Sequence, residues 1–343
     1  MTLAAPPSPS PARGERLLFQ RGDALYVAET NGANVRRLFA MGRADAGVVW
    51  SPSPDGRRVA WLIPLAASGG SREAGLRARP VAVYLGDLAG RHVKRVLATN
   101  DLRDRQGKAV TTLSVGAVGA PASLTDWALD ALSFSADGRS LYLCCTHLKP
   151  AGGRATFVAD AVTGAVIVDG QGRWKSVAPM TQVDARGSLL VGVGLARTTD
   201  AARPAGVSAA TGRPDTRFAP LLVTDFAQGA TRSLLPATFP SSRRPPYATA
   251  LSPAVSPDGR TIAFAALGQG LFLVDTLGQD YRRITRNPAD DAPRWSSDGQ
   301  RLFYLSSAPD GTVGVYVLEI PPAGIARGRR VLPNVDRFFV IPD

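Results

Sequence analysis

Four aspartates recur at similar positions in the sequence and are candidates for binding a cation or a basic peptide. Each stands four or five residues before a large apolar residue that opens a β-strand pattern: Asp45, Asp130, Asp290 and Asp291. Carboxylate oxygens are hard ligands for divalent cations, and they also attract basic peptides. If the strands that follow them surround a central channel, we expect these side chains at one end of that channel. The alternative, that they bond to turn backbones between repeats, stays open.

The cysteines and histidines offer little further chemistry. Cys144 and Cys145 are adjacent, and neighbours in a strand point to opposite faces, which disfavours a disulfide between them. The only histidines are His92 and His147. We predict that the cysteines are small buried apolar side chains, while a partial metal site with His147 remains an alternative. No cofactor is predicted, and the identity of any metal is left unassigned.

Motifs for nucleophilic or nucleotide chemistry are missing from the sequence. There is no Gly-x-Ser-x-Gly elbow and no P-loop, and both histidines lie in the first half of the chain. The pair Gly192 and Gly194 begins a dinucleotide-like pattern that fails at its third glycine. We therefore assign no catalytic residue.

The strong positive charge does not by itself indicate a nucleic-acid partner. The 343-residue chain has a net charge of +12, and its 40 basic residues include only four lysines. The arginines are scattered along turns and strand ends, with no basic helix or strip interleaved with aromatic residues. Because scattered charge gives mainly non-specific binding, we predict no specific nucleic-acid partner.

Repeats must position the candidate residues. Four segments share the same pattern: an apolar residue, a serine, an Asp-Gly turn and an apolar β run. They start at Trp50, Phe134, Val255 and Trp295, and a degraded fifth copy starts at Val183. Asp-Gly closes a tight hairpin because glycine tolerates positive φ. We expect the four turn aspartates to be structural and Trp50 and Trp295 to anchor packing between repeats.

The repeat spacing predicts an all-β, six-bladed propeller of four-stranded antiparallel blades. Gly259 and Gly299 are 40 residues apart, within the ~40–45-residue period of a propeller blade. We place insertions at about 64–80, 99–125 and 196–219, the second as a long loop, and a Pro/Ser/Ala-rich tether at 1–14 before a single propeller at 15–343. Seven blades remain an alternative because the interval from Gly56 to Gly138 is 82 residues, which equals two repeat periods of 41.

The two ends of the chain predict how the ring closes. The first unit begins directly at its second strand, at Leu17, whereas the chain ends in the isolated apolar segment 336–343. We expect this last strand to complete the first blade, which removes two exposed sheet edges.

These repeats resemble the TolB-type WD40-like (PD40) propeller family. The resemblance is carried by Trp50-SPSPDG, Phe134-SADG, Val255-SPDG and Trp295-SSDG, and above all by the run from Leu273 to Gly299. It implies a bacterial propeller that serves as a protein-binding platform, or elsewhere as a gating domain fused to a serine peptidase.

The functional expectation is a non-catalytic scaffold that binds a protein or peptide through one face or the channel mouth, as a monomer. Two alternatives stay open: a propeller hydrolase or lyase with a channel-mouth metal, and a sensor or accessory domain of a larger membrane-anchored protein. No segment reaches the ~18 apolar residues of a membrane helix. We expect an extracytoplasmic or periplasmic location if an export segment preceded the tether, and a cytoplasmic one otherwise.

Overall fold

A computed structural model describes residues 14–41, 49–65, 80–114, 122–147, 153–194, 220–234 and 250–343. Blade 1 begins with Glu15–Arg21 (β1), Ala24–Glu29 (β2) and Arg36–Ala40 (β3). Blade 2 contains Trp50–Pro52 (β4), Arg58–Pro64 (β5), Val81–Asp87 (β6) and Lys94–Ala98 (β7). Then come Leu102–Arg103 (β8), Ala109–Val110 (β9), Thr112–Ser114 (β10), Ala122–Ser123 (β11) and the short 3-10 helix Leu124–Asp126.

The remaining blades follow in chain order. Blade 3 contains Trp127–Phe134 (β12), Ser140–His147 (β13), Arg154–Asp160 (β14) and Trp174–Ala178 (β15). Blade 4 contains Met180–Arg186 (β16), Leu189–Gly194 (β17), Leu221–Asp225 (β18) and Ala230–Ser233 (β19). Blade 5 contains Ala250–Val255 (β20), Thr261–Ala266 (β21), Gly270–Asp275 (β22) and Arg282–Arg283 (β23). Blade 6 contains Asp291–Trp295 (β24), Arg301–Ser307 (β25), Val313–Glu319 (β26) and Arg329–Pro333 (β27), and Arg337–Pro342 (β28) ends the chain.

The six sheets form a closed ring, which confirms the six-bladed, all-β propeller. One strand of each blade contacts its counterparts in both neighbouring blades, in the circular order β4, β12, β16, β20, β24 and β28. These six are therefore the innermost strands that surround the central channel. Among the described residues, six clusters of buried apolar side chains fill the wedges between successive blades.

The chain ends close the ring as the sequence predicts. Strand β28 pairs antiparallel with β1, from Glu15 opposite Pro342 to Gln20 opposite Arg337. Blade 1 thus has the order β28-β1-β2-β3, with the C-terminal strand innermost. Phe338 on this strand is only 1% exposed and packs in the wedge between blades 6 and 1.

The Ser-x-Asp-Gly turns share one hydrogen-bonding pattern. In blade 5, Ser256 Oγ donates to Asp258 Oδ1 at 2.6 Å, and the Arg260 amide donates to the same oxygen at 3.0 Å. Gly259 completes the turn with φ 73°. The same bonds recur at Asp55, Asp137 and Asp298. These aspartates therefore build turns.

The expected tryptophan anchors do connect neighbouring blades. Trp50 is fully buried in blade 2, and its Nε1 donates to Gln20 Oε1 of blade 1 at 2.8 Å. Trp295 of blade 6 donates from Nε1 to the Ala254 carbonyl of blade 5 at 3.0 Å.

Segment 99–125 differs from the expected long loop. Strands β8 and β9 pair as a small hairpin, and β10 pairs in parallel with β15, which extends blade 3 to six strands. The physical reason is apolar burial: Leu102, Val110 and Leu113 are at most 4% exposed and belong to the wedge between blades 2 and 3. The other two expected insertions lie largely outside the described residues, as does the tether.

The adjacent cysteines are small buried side chains, as the sequence predicts. Cys144 and Cys145 are unpaired and buried, with 0% and 3% of their surfaces exposed. Among the described residues, none of the helical structure has the length and apolarity to cross a membrane.

Candidate functional site

The N-terminal ends of the inner strands carry a repeated backbone bulge. The register shifts in β12, β16, β20 and β24, after Leu129, Thr181, Leu251 and Asp291 respectively. In three of these bulges a non-glycine residue has a left-handed φ of about 50°: Gln182, Ser252 and Ala292. Such a conformation costs on the order of 1 kcal/mol, and bulges re-aim side chains next to functional sites. We call this end of the channel, formed by the four bulges and the start of β28, the channel mouth.

Neighbouring bulges are braced by hydrogen bonds between blades. Gln182 Oε1 accepts from the Ser252 amide at 3.0 Å, and Asp184 Oδ2 accepts from the Val255 amide at 2.7 Å. Both bonds join blade 4 to blade 5. The bulges of β16 and β20 are therefore linked, and these bonds hold the side chains of Gln182 and Asp184 in place.

The three predicted aspartates that the structure describes, Asp130, Asp290 and Asp291, do not form one group. Asp130 lies in the β12 bulge, is exposed, and accepts from Thr146 Oγ1 at 2.5 Å. Asp291 starts β24 and accepts from the Ala292 amide at 2.6 Å. Asp290 is buried, 4% exposed, and accepts from Ser306 Oγ at 2.6 Å. Asp45 lies outside the described residues.

The pKa of Asp290 is raised because burial disfavours its charged form. The pKa of Asp130 is also raised, because surrounding protein atoms remove part of the water from its carboxyl group although the residue keeps exposed surface. For Asp130, the Thr146 hydroxyl and the Arg154 charge partly oppose this effect. For Asp290, the hydroxyls of Ser306 and Thr285 oppose it. Asp130 is thus a polar group of the channel mouth, whereas Asp290 is held inside blade 6 by its hydrogen bonds.

The channel also contains a carboxylate that the sequence did not single out. Burial raises the pKa of Asp184, and the opposing influences include the charge of Arg294 from blade 6. Burial correspondingly lowers the pKa of Arg294, while Asp184 and Asp291 raise it. Since blades 4 and 6 are separated by blade 5, these two side chains interact across the channel.

Two arginines share one aromatic ring beside this carboxylate. The guanidinium carbons of Arg294 and Arg337 lie 4.8 and 5.5 Å from the centroid of the Phe339 ring. The ring of Trp50 packs on the same phenylalanine at 4.9 Å between centroids. Cation–π contact with a partly desolvated ring fixes the planar guanidinium groups. Burial and the Arg294 charge lower the pKa of Arg337 to about 10.

This arrangement suits recognition of polar and anionic groups. Its residues offer guanidinium and amide donors together with carboxylate acceptors, and all are held by inner strands. Among the residues that the structure describes, no three His, Cys, Asp or Glu side chains are grouped so that they could hold a metal ion.

The arginines and Asp184 were missed because they lie far apart in sequence and carry no motif. The repeat register did not reveal them either, because the sequence pattern aligns Val183 with Trp295. The pairing of the strands instead places Asp184 of β16 at the position of Arg294 in β24, each directly after the bulge.

Comparison with known proteins shows the fold and leaves the family unassigned. No protein-family profile matches the sequence, and no curated protein matches it. The fold is similar to TolB from Acinetobacter baumannii, with a TM-score of 0.55 and 16% identity over 96% of this chain and 65% of that one. It is also similar to a structure described as putative TolB from Agrobacterium tumefaciens, with a TM-score of 0.50 and 14% identity over 94% of this chain and 90% of that one. The chain thus spans about two thirds of the first of these proteins and has a TolB-like propeller fold.

Proposed function

We propose that this protein is a non-catalytic propeller of the TolB-type WD40-like repeat kind that binds a protein or peptide at the channel mouth. The observation that carries the proposal is the set of bulges on four consecutive inner strands. Three of them keep a strained left-handed residue at the same register, in Gln182, Ser252 and Ala292. Strain of this kind persists where surrounding structure enforces it and is concentrated at functional sites.

The chemistry at the mouth supports a binding role. Exposed Asp130 and Gln182 present hydrogen-bonding side chains from adjacent blades. Rigid scaffolds that carry polar groups with fixed geometry favour recognition, because little conformational entropy is lost on binding. We propose a protein or peptide partner rather than a nucleic acid, bound by a monomer. The proposed location is extracytoplasmic if an export segment precedes the tether and cytoplasmic otherwise.

The proposal is tested by blocking the mouth with a bulky side chain. Gln182→Trp fills the β16 bulge at an exposed position that already has φ 52°. The matched control is Gln279→Trp, also exposed but on the outer turn between β22 and β23. Both variants are first checked by thermal unfolding, so that only folded proteins are compared.

Affinity capture from the source organism, followed by binding measurements with the purified partner, supplies the readout. We expect a partner that the wild type and Q279W retain and that Q182W loses by at least about tenfold in affinity. Equal binding by Q182W and Q279W would exclude the mouth as the binding surface. Deletion of 99–125 is a poor alternative because Leu102, Val110 and Leu113 in that segment belong to the core.

A further inference from the structure

Arg337 has an unusual environment for a channel arginine. In the part of the chain that the structure describes, no carboxylate oxygen lies within 4.0 Å of the side-chain nitrogens of Arg337 or Arg294. Arg294 donates to the carbonyl of its own neighbour Pro293 at 2.8 Å. Arg337 donates no hydrogen bond to any described residue, and its contact is the face of Phe339.

The charge of Arg337 is not balanced by the described groups around it. Arg294 repels it, and the one group with a favourable electrostatic influence is Cys144. Burial raises the pKa of that thiol to about 12, so it is neutral at pH 7 and cannot act as a counter-ion. The carboxyl of Asp184 accepts from the Val255 amide and interacts electrostatically with Arg294 rather than with Arg337.

A partly buried charge without a counter-charge beside it is destabilising, and a ligand that brings the counter-charge relieves this. Arg337 keeps part of its surface accessible, as does Arg294, so both border the channel. A ligand that enters the channel can therefore reach both planar donor groups, which match the two oxygens of a carboxylate or phosphate.

We propose that Arg337 and Arg294 bind a carboxylate group of a peptide that enters the channel mouth. This inference rests on the proposed function and names the chemistry of the ligand. Among the described groups one positive charge, that of Arg337, lacks a counter-charge, and a monoanion would supply it, whereas a phosphate ester carries about −1.5 to −2 at pH 7. The carboxylate can come from the C-terminus of the peptide or from an Asp or Glu side chain.

The test uses three short peptides of otherwise neutral composition, together with inorganic phosphate. One peptide has a free C-terminal carboxylate, the second is its C-terminal amide, and the third is amidated but contains a single glutamate. Binding to the full chain is followed by calorimetry and by the indole N–H signal of Trp50, whose ring packs on Phe339. The buried indole of Trp174, which donates to the Val158 carbonyl in blade 3, is the internal reference.

Variants assign any binding to the arginines. We expect at least one carboxylate peptide to bind about tenfold or more tightly than the neutral amide, and Arg337→Gln and Arg294→Gln each to remove that preference. Arg58→Gln is the matched control. Arg58 of blade 2 also stacks over an aromatic ring, that of Phe134 at 5.6 Å, but it donates to the Gly138 carbonyl in the Asp-Gly turn of blade 3, away from the channel mouth. Asp184→Asn removes negative charge beside the arginines and should raise carboxylate affinity several-fold.

Four results would overturn the inference. The first is that the neutral amide binds as tightly as the carboxylate peptides, and the second is that R337Q binds them with the affinity of the wild type. The third is that phosphate, and neither carboxylate peptide, binds in a way that depends on the arginines. The fourth is that neither carboxylate peptide shows saturable binding. If any of these occurs while Q182W still loses its captured partner, the carboxylate site fails and the binding scaffold stands. If Q182W and Q279W retain the partner equally and the peptides also fail, both proposals fall.

Discussion

Closure of the ring by β28 should be sensitive to a single buried side chain, Phe338. Phe338→Ala removes a ring that is 1% exposed and packs with Phe19 and Phe303 between the first and last blades. A Phe→Ala change in a core costs about 3–5 kcal/mol. With roughly 2.1 cal/mol/K of unfolding entropy per residue, a 343-residue protein loses about 4–7 °C in Tm for that cost.

Calorimetry and hydrogen exchange measure this prediction. Phe264→Ala, at an equally buried position inside the wedge between blades 4 and 5, controls for the loss of a core phenylalanine. Both variants should lose Tm, but only F338A should accelerate amide exchange selectively in β1 and β28. A Tm of F338A within about 1 °C of the wild type, or unchanged protection of Glu15–Arg21, would show that Phe338 does not hold the closing strand in place.

Three further predictions concern the turns, the blade contacts and the cysteines. A hydrogen bond from Ser135 lowers the pKa of Asp137. The ionised carboxylate therefore stabilises the folded protein above pH 3.8, and this stabilisation is lost as the pH falls below that value. Asp137→Asn should flatten the pH dependence of Tm in that acid range. Trp50→Phe leaves the buried side-chain oxygen Oε1 of Gln20 without its donor and should cost about 1–3 kcal/mol in urea unfolding; Gln20→Leu in the same protein should restore part of that loss. Cys144 should resist a thiol reagent at pH 8 until the protein unfolds, because its pKa is about 12 and its side chain is fully buried.

The fold was predictable because each blade carries its own local turn signal. Asp-Gly turns such as Asp258-Gly259 are encoded by neighbouring residues, so a single sequence is enough to locate them. Closure was predictable from the unpaired terminal segment at 336–343. The segment 99–125 was not predictable, because its strands are stabilised by distant contacts of residues such as Leu113 rather than by a repeat.

The site was harder to predict because its members meet only when the ring closes. Asp290 and Asp291 are adjacent in sequence, yet one is buried against Ser306 and the other starts an inner strand. Arg337 approaches Arg294 because β28 returns to the innermost position of blade 1. Local spacing contains no information about that encounter.

Hydrogen exchange of the full chain with and without its captured partner locates the binding surface. We expect slower exchange on binding in the four bulges and at the start of β28, with the outer strands β3, β7, β19 and β23 unchanged. Protection confined to those outer strands, with the bulges unaffected, would contradict binding at the channel mouth.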